Sequence, residues 1–218
     1  MKKYKALIFD FDYTLVNSDK GIMESFHYVF EKNHITGIPD DLVRMTVGFH
    51  LRDAFMMLIP GLTLEDTDRL RADFKEAAVK VMTKGSRLFP DTLGCLNLFY
   101  ENGIPMGIFS SNEQVRIREA LSFYGLEDYF EHIAGSSDVQ KPKPDPEGLL
   151  LLGEKLGLEV DEILYVGDSY LDALAAAGCG MDFAGVATGT TPTLKLKEYP
   201  HVFVGRNLKE FKEWYEAT

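Results

Sequence analysis

Short apolar runs recur along this 218-residue chain and constrain its fold more than any other feature. Each run is bounded by polar residues or glycine, and none alternates between apolar and polar positions. The runs occupy residues 6–9, 106–109, 132–134, 163–166, 183–187 and 202–204. Continuous runs of this length are typical of strands buried on both faces. We therefore predict that they form the strands of a parallel sheet.

Helical patterns lie between the predicted strands. Ile117, Leu121 and Tyr124 have helical spacing, and Asp145-Pro146 is a typical helix start. Alternating strands and helices require right-handed crossover connections. The sequence thus predicts an α/β fold with a doubly wound, Rossmann-like parallel sheet.

One region, residues 17–86, interrupts this alternation. Its apolar stripes have helical spacing, and we find no convincing strand in it. The stripes are Ile22, Phe26, Val29 and Phe30; Leu51, Phe55, Leu58 and Ile59; and Leu70, Phe74, Ala77 and Val81. Such a length far exceeds an ordinary connection of about 2–6 residues. We predict an inserted all-helical domain at 17–86 and an α/β core at 1–16 and 87–218, with joints near 16–18 and 85–88.

Composition and charge exclude several classes of protein. With 45% hydrophobic and 26% charged residues the chain has the composition of a folded globular protein. A formal charge of −11 argues against nucleic acid or an anionic membrane surface as the main partner. The apolar run behind the basic N-terminus is too short for a signal peptide, and no stretch resembles a membrane span. Cys95 and Cys179 suggest neither a disulfide framework nor a zinc site. We expect a cytoplasmic protein, with a monomer as the default.

Polar side chains follow three of the predicted strands. They are Asp10, Asp12 and Thr14 after the first, Ser110 and Ser111 after the second, and Asp168 with Asp172 after the fourth. Ligands bind beyond the carboxyl ends of the strands in an open parallel sheet. We expect these groups to meet at that edge, although Ser110 and Ser111 taken alone are typical of a helix N-cap.

A proline-rich loop, residues 141–146, follows the third predicted strand and presents a lysine at a helix start. Lys141 and Lys143 each precede a proline. The local residues do not distinguish which of the two faces the edge of the sheet.

The acidic groups at this edge favour metal-assisted phosphoryl transfer. Asp10, Asp12 and Asp168 within about 4 Å of one another would repel by several kcal/mol per pair. A divalent cation relieves that repulsion, and oxygen ligands suit Mg²⁺, whereas zinc would favour histidine or cysteine. One aspartate can then attack phosphorus while lysine and hydroxyl donors stabilise the phosphoryl oxygens. The pattern predicts an aspartyl-phosphate intermediate.

Together these segments resemble the four motifs of the haloacid dehalogenase superfamily, in the branch with a helical cap. The matching segments are residues 8–15, 108–110, 141–145 and 166–172. The resemblance implies a Mg²⁺-dependent phosphatase that acts on a small phosphorylated metabolite, similar to phosphoglycolate phosphatases. Asp12 favours phosphate esters over halides, because a halide leaves without a proton.

The resemblance also implies a role for each matching residue. It implies that Asp10 is the nucleophile and a metal ligand, and that Asp12 is the general acid and base and ligates the metal through its backbone carbonyl. Asp168 would be the third metal ligand, and Lys141 would pair with the phosphate and with Asp10. Ser110 and Ser111 would bind the phosphoryl group, while Thr14 and Asp172 would support the site.

Two further features concern substrate choice. In the helical region the loop 46–52 resembles the one that reaches toward the leaving group, so His50 or Arg52 is expected to meet an anionic substrate. Tyr13 stands where the family usually has glycine, which puts the substrate range in doubt.

Two alternative functions remain open at this point. A hexose-phosphate mutase similar to beta-phosphoglucomutase uses the same aspartates but returns the phosphoryl group to a sugar. A receiver domain also combines acidic residues, a hydroxyl and a lysine around Mg²⁺. It is a compact unit of about 100–150 residues without a helical insertion, which favours the phosphatase.

Overall fold

A computed structural model describes residues 3–218; Met1 and Lys2, the first two residues of the predicted core segment 1–16, lie outside it. Eight strands are present in this part of the chain. They are β1 Ala6–Phe9, β2 Val16–Asn17, β3 Arg87–Leu88, β4 Met106–Phe109, β5 His132–Ala134, β6 Ile163–Gly167, β7 Asp182–Val186 and β8 Phe203–Gly205.

The main sheet has six parallel strands in the order β5-β4-β1-β6-β7-β8. Strand β1 is central, with Leu7 opposite both Met106 of β4 and Leu164 of β6. The order changes direction on either side of β1, as in a doubly wound sheet. The predicted fold class is confirmed, and each of the six predicted strands is present within a residue of its expected bounds.

Ten α-helices are present in the same part of the chain. They are α1 Asp19–Lys32, α2 Asp40–Met45, α3 Leu51–Leu58, α4 Leu64–Gly85, α5 Thr92–Glu101, α6 Gln114–Tyr124, α7 Glu147–Leu156, α8 Tyr170–Cys179, α9 Thr193–Leu196 and α10 Leu208–Glu216. Helix α7 begins at Glu147 with Pro146 as its N-cap, one position later than the sequence indicates. Among the described residues, no helix is long and apolar enough to cross a bilayer.

Alternate residues of β1 face two separate layers of helices. Leu7 and Phe9 belong to the apolar cluster formed with α5, α6 and α10. Ala6 and Ile8 belong to the cluster formed with α7, α8 and α9. Side chains alternate across a strand, so both faces of β1 are buried and its apolar run is continuous.

Helices α1 to α4, which we call the helical insertion, pack around an apolar cluster of their own. Phe26 lies at its centre, with ring centroids 5.3 Å from Phe55 and 5.0 Å from Phe74. Strands β2 and β3 pair antiparallel at the base of the insertion, with Val16 opposite Leu88. This short ribbon could not be predicted from the sequence, because two residues carry no measurable periodicity.

Candidate active site

The loop after β1 carries three of the predicted site residues. Asp10 follows the strand directly, and its backbone N–H donates to the carbonyl of Val166 in β6. The Thr14 hydroxyl lies 3.1 Å from Oδ1 of Asp168 and 3.4 Å from Oδ2 of Asp10. This threonine therefore connects the carboxylates at the ends of β1 and β6.

The neighbouring strands bring their polar residues to the same edge. Ser110 follows β4 and is buried, and its hydroxyl accepts a hydrogen bond from the backbone N–H of Asn112. The Asn112 side chain donates to Asp12 over 3.3 Å. Because β4, β1 and β6 are adjacent, Ser110, Asp10 and Asp168 come together as the strand ends predict.

The structure corrects the assignment of the lysine. Lys143, not Lys141, lies beside the nucleophile candidate, with its Nζ 2.6 Å from Oδ1 of Asp10. Lys141 is 73% exposed in its side chain, and the carboxylate of Asp145 lies 3.8 Å away. Lys143 directs its side chain into the protein and is 4% exposed, because the loop turns between the two positions.

Asp172 holds Lys143 from the other side. Its Oδ1 accepts from Nζ of Lys143 over 2.7 Å and from the hydroxyl of Tyr165 over 2.6 Å. Its Oδ2 accepts from the backbone N–H and the hydroxyl of Ser169 over 3.0 and 2.6 Å. Both oxygens are therefore occupied by donors within the chain, so Asp172 is placed as a support for the lysine.

Burial perturbs the acid–base properties of the whole cluster. It raises the pKa of Asp10 to about 7, although Lys143 opposes the rise. Burial also raises the pKa of Asp12, and burial together with Asp10 raises that of Asp168 well above its usual range. For Asp172 burial is outweighed by Lys143 and the other donors, which lower its pKa. The cluster has more buried negative charge than one lysine balances.

A divalent cation fits this arrangement. Oxygens of Asp10, Asp168 and Asp172 lie within 4.8 Å of one another, and this group contains neither histidine nor cysteine. Asp172 already accepts four hydrogen bonds, whereas Thr14 is the donor shared by Asp10 and Asp168. An all-oxygen set with two carboxylates available suits Mg²⁺.

A cavity of about 200 Å³ lies between this cluster and the helical insertion. Asp10, Asp12, Ser110 and Asp168 line it on the side of the sheet. The loop after α2 closes the other side, and its Gly48 carbonyl accepts a 2.6 Å hydrogen bond from the hydroxyl of Ser111. The geometry assigns Ser111 a contact with the insertion.

The two residues expected to meet the substrate from the insertion have different positions. His50 lines the cavity, and its pKa is lowered by burial and by the nearby charge of Arg71. The structure contradicts the position expected for Arg52. This residue lies outside the cavity lining, and its Nη2 is 2.8 Å from Oδ1 of Asp68. Its position at the start of α3 directs it toward α4 instead of the site.

Tyr13 adopts a backbone conformation that ordinarily favours glycine, with φ of 61°. Its ring is buried, and its hydroxyl donates to Oδ1 of Asp19 over 2.8 Å. Arg44 donates to the same carboxylate through Nε and Nη2 over 2.8 and 3.2 Å. Tyr13, at a position where the resemblance leads us to expect glycine, thus connects the β1 loop with α1 and α2 of the insertion through Asp19.

Some residues at the site had no signal in the sequence. Arg71 lines the cavity from α4, but a charged residue on a long helix is usually solvated. Gly189 approaches Asp168 so closely that a Cβ there would lie 1.8 Å from Oδ2. The short segment between β7 and α9 is irregular, so its position could not be predicted from periodicity.

Comparison with known proteins gives consistent results. A family model described as haloacid dehalogenase-like hydrolase matches residues 7–186. A phosphoglycolate phosphatase of Yersinia pestis is 31% identical over 196 residues, which cover 87% of this chain and 84% of the relative. The pyrophosphatase PpaX of Bacillus pumilus is 30% identical over 182 residues, covering 84% and 82%. The crystal structure of a haloacid dehalogenase-like hydrolase from Bacteroides fragilis has a TM-score of 0.93 at 37% identity and covers 96% of this chain and 100% of that chain.

Proposed function

Because the chain belongs to the haloacid dehalogenase-like hydrolase family, in which it is a phosphatase, we propose that it uses Mg²⁺ and an aspartyl phosphate on Asp10. The substrate is a small phosphorylated metabolite. One observation carries the proposal: Asp10 lines the cavity below the helical insertion, contacts Lys143, and has a carboxylate oxygen within 4.8 Å of one of Asp168.

Asp10, Asp168 and the backbone carbonyl of Asp12 would hold the metal. When bound, Mg²⁺ supplies positive charge that offsets the carboxylates and stabilises the phosphoryl oxygens. Lys143 supplies the second positive charge, and its two ion-pair partners keep its ammonium fixed. Such preorganised charge is effective in a site with little water.

In the first half-reaction a carboxylate oxygen of Asp10 attacks phosphorus. The bond from phosphorus to the leaving oxygen breaks as Asp12 donates a proton to that oxygen. Ser110, which lines the same side of the cavity as Asp10, donates to a phosphoryl oxygen. Asn112 holds one oxygen of Asp12, which limits the directions in which this carboxyl group can turn.

In the second half-reaction Asp12 accepts a proton from water, and the oxygen of that water attacks phosphorus. The bond between phosphorus and Asp10 breaks, which releases phosphate and restores both carboxyl groups. The helical insertion, with the predicted bounds 17–86, acts as a cap that excludes other water and contacts the leaving group.

The proposal is tested by measuring inorganic phosphate released from p-nitrophenyl phosphate and phosphoglycolate with Mg²⁺ present. We expect turnover that is lost on chelation and in Asp10→Asn, and kept in Asp161→Asn, whose side chain is exposed. Full activity of Asp10→Asn would contradict the proposal. Isomerisation of a hexose 1-phosphate without phosphate release would instead show a mutase.

A further inference from the structure

We propose that the leaving group of the substrate joins an apolar body to a second anionic group, and that Arg71 binds this anion. The inference rests on the proposed phosphatase function and specifies the chemical class of its substrate.

The wall of the cavity opposite the carboxylates is mostly apolar. It includes Val47, Phe49, Leu51, Phe74, Val79 and Met82. Val79 is 61% exposed and lies outside the buried apolar cluster of the insertion. A polar leaving group would be desolvated against this wall without compensation, whereas a hydrocarbon body would gain free energy by burial.

Cationic groups also line the cavity, but most are already paired. Lys75 lies 2.5 Å from Glu113, and Arg116 lies 2.5 Å from Glu119. Each of these pairs has one positive and one negative charge. Neither Lys75 nor Arg116 therefore has a positive charge left unbalanced that could attract an anionic ligand.

Arg71 is in a different situation. Its Nη1 donates to Oδ1 of Asp68 over 2.9 Å, but Arg52 donates to that same oxygen. Two guanidinium groups therefore share one carboxylate. The Nε atoms of both arginines are buried without a hydrogen bond, but only Arg71 lines the cavity. An arginine that lines the cavity and shares its carboxylate partner with a second guanidinium fits a carboxylate or phosphate.

His50 supports the same interpretation, because it lies close enough to Arg71 to be affected by its charge. It lines the cavity, and burial together with Arg71 favours its neutral form. The histidine therefore does not compete with Arg71 as the cation of this wall. The phosphoryl group and the second anion would bind at separate places, with the apolar body between them.

Four phosphate esters of primary alcohols test this inference on the full-length protein with Mg²⁺. 4-Carboxybenzyl phosphate has both features, benzyl phosphate has only the apolar body, phosphoglycolate has only the anion, and glycerol 1-phosphate has neither. Similar alkoxide leaving groups keep differences in intrinsic reactivity small. We expect kcat/KM for 4-carboxybenzyl phosphate to exceed each of the other three by about tenfold or more.

Variants of two arginines on α4 separate a specific effect from a general one. Arg71→Gln should lower kcat/KM about 10- to 100-fold for the two carboxylated esters. It should change kcat/KM for benzyl phosphate by less than about threefold. Arg71→Lys should restore part of the loss. The matched control is Arg69→Gln, because Arg69 is exposed, lies outside the cavity lining and pairs with Asn33 and Asp66.

The outcomes distinguish the two proposals. Two results would overturn this inference alone. The enzyme could hydrolyse p-nitrophenyl phosphate but show no preference among the four esters, or Arg71→Gln could lower kcat/KM equally for all four. Failure to hydrolyse any ester would overturn the proposed function and this inference with it.

Discussion

Lys143 and Asp10 form a buried ion pair, with 2.6 Å between Nζ and Oδ1, although 133 positions separate them in the chain. The pair joins the loop before α7 to the loop after β1. Asp172 fixes the same ammonium from α8, so three segments of the core meet at one lysine.

Replacing this lysine should affect activity far more than replacing its neighbour in the loop. We expect Lys143→Ala to lower kcat about 10²- to 10³-fold, since the site loses a positioned positive charge. Lys141→Ala should stay within about twofold, because its side chain is 73% exposed. Steady-state phosphate release checks both, with circular dichroism to verify folding. Equal losses in the two variants would contradict the placement.

The contrast between these lysines shows what could be predicted from the sequence. The apolar run of β1 is long enough to indicate a buried strand, so the position of Asp10 followed from the ends of parallel strands. Lys141 and Lys143 both precede proline, and only the path of the loop decides which one is buried. The path of such a loop depends on tertiary contacts, so the local sequence could not show which of the two lysines is buried.

The helical insertion was also predicted only in part from the spacing of its apolar residues. Its apolar stripes predicted three of its four helices, but α2 has six residues and was missed. Neither the pairing of Arg52 with Asp68 nor the exposure of Arg71 to the cavity follows from spacing. Both depend on how α3 packs against α4.

Mg²⁺ binding should stabilise the folded chain through Asp168. At about 100 times its dissociation constant, a ligand adds about 2.7 kcal/mol to the free energy of unfolding. We expect Mg²⁺ to raise the unfolding temperature of the unsubstituted protein and of Asp161→Asn but not of Asp168→Asn. Without metal, Asp168→Asn should be more stable by about 1 kcal/mol or more at neutral pH, because burial raises the pKa of Asp168 and the folded state therefore disfavours its charged form. Calorimetry measures both effects, and an equal response to Mg²⁺ in all three proteins would exclude Asp168 as a ligand.

Gly189 should be required for the position of Asp168. A Cβ at this residue would lie 1.8 Å from Oδ2 of Asp168, so Gly189→Ala must displace the carboxylate. We expect Mg²⁺ affinity to fall about 10- to 100-fold, as measured by titration calorimetry. Gly94→Ala is the control, since a Cβ there has no neighbour within 4 Å. Unchanged affinity in Gly189→Ala would contradict this packing.

Asp19 should stabilise the junction between core and insertion in a pH-dependent way. Arg44 lowers the pKa of Asp19, so the folded state favours its charged form. The stabilisation is therefore present above the unfolded pKa of about 3.9 and is lost as pH falls through the lower folded value. Asp19→Asn should reduce the free energy of unfolding by about 0.5–1 kcal/mol at pH 7, and the difference should shrink below pH 4.

Urea unfolding at pH 7 and pH 3 measures this difference. The matched control is Asp41→Asn, which removes the 96% exposed carboxylate on the other side of Arg44. A difference for Asp19→Asn that is independent of pH would show that its charge is not responsible.

The covalent step at Asp10 is the central claim, and chemical trapping tests it most directly. The protein is mixed with substrate and Mg²⁺, quenched within milliseconds and treated with borohydride, which reduces an acyl phosphate of aspartate to homoserine. Peptide mass spectrometry then locates the change. We predict homoserine at position 10 only when substrate is present, and none in Asp10→Asn. Trapping at Asp12 or Asp168 instead, or turnover without any trapped residue, would contradict the account.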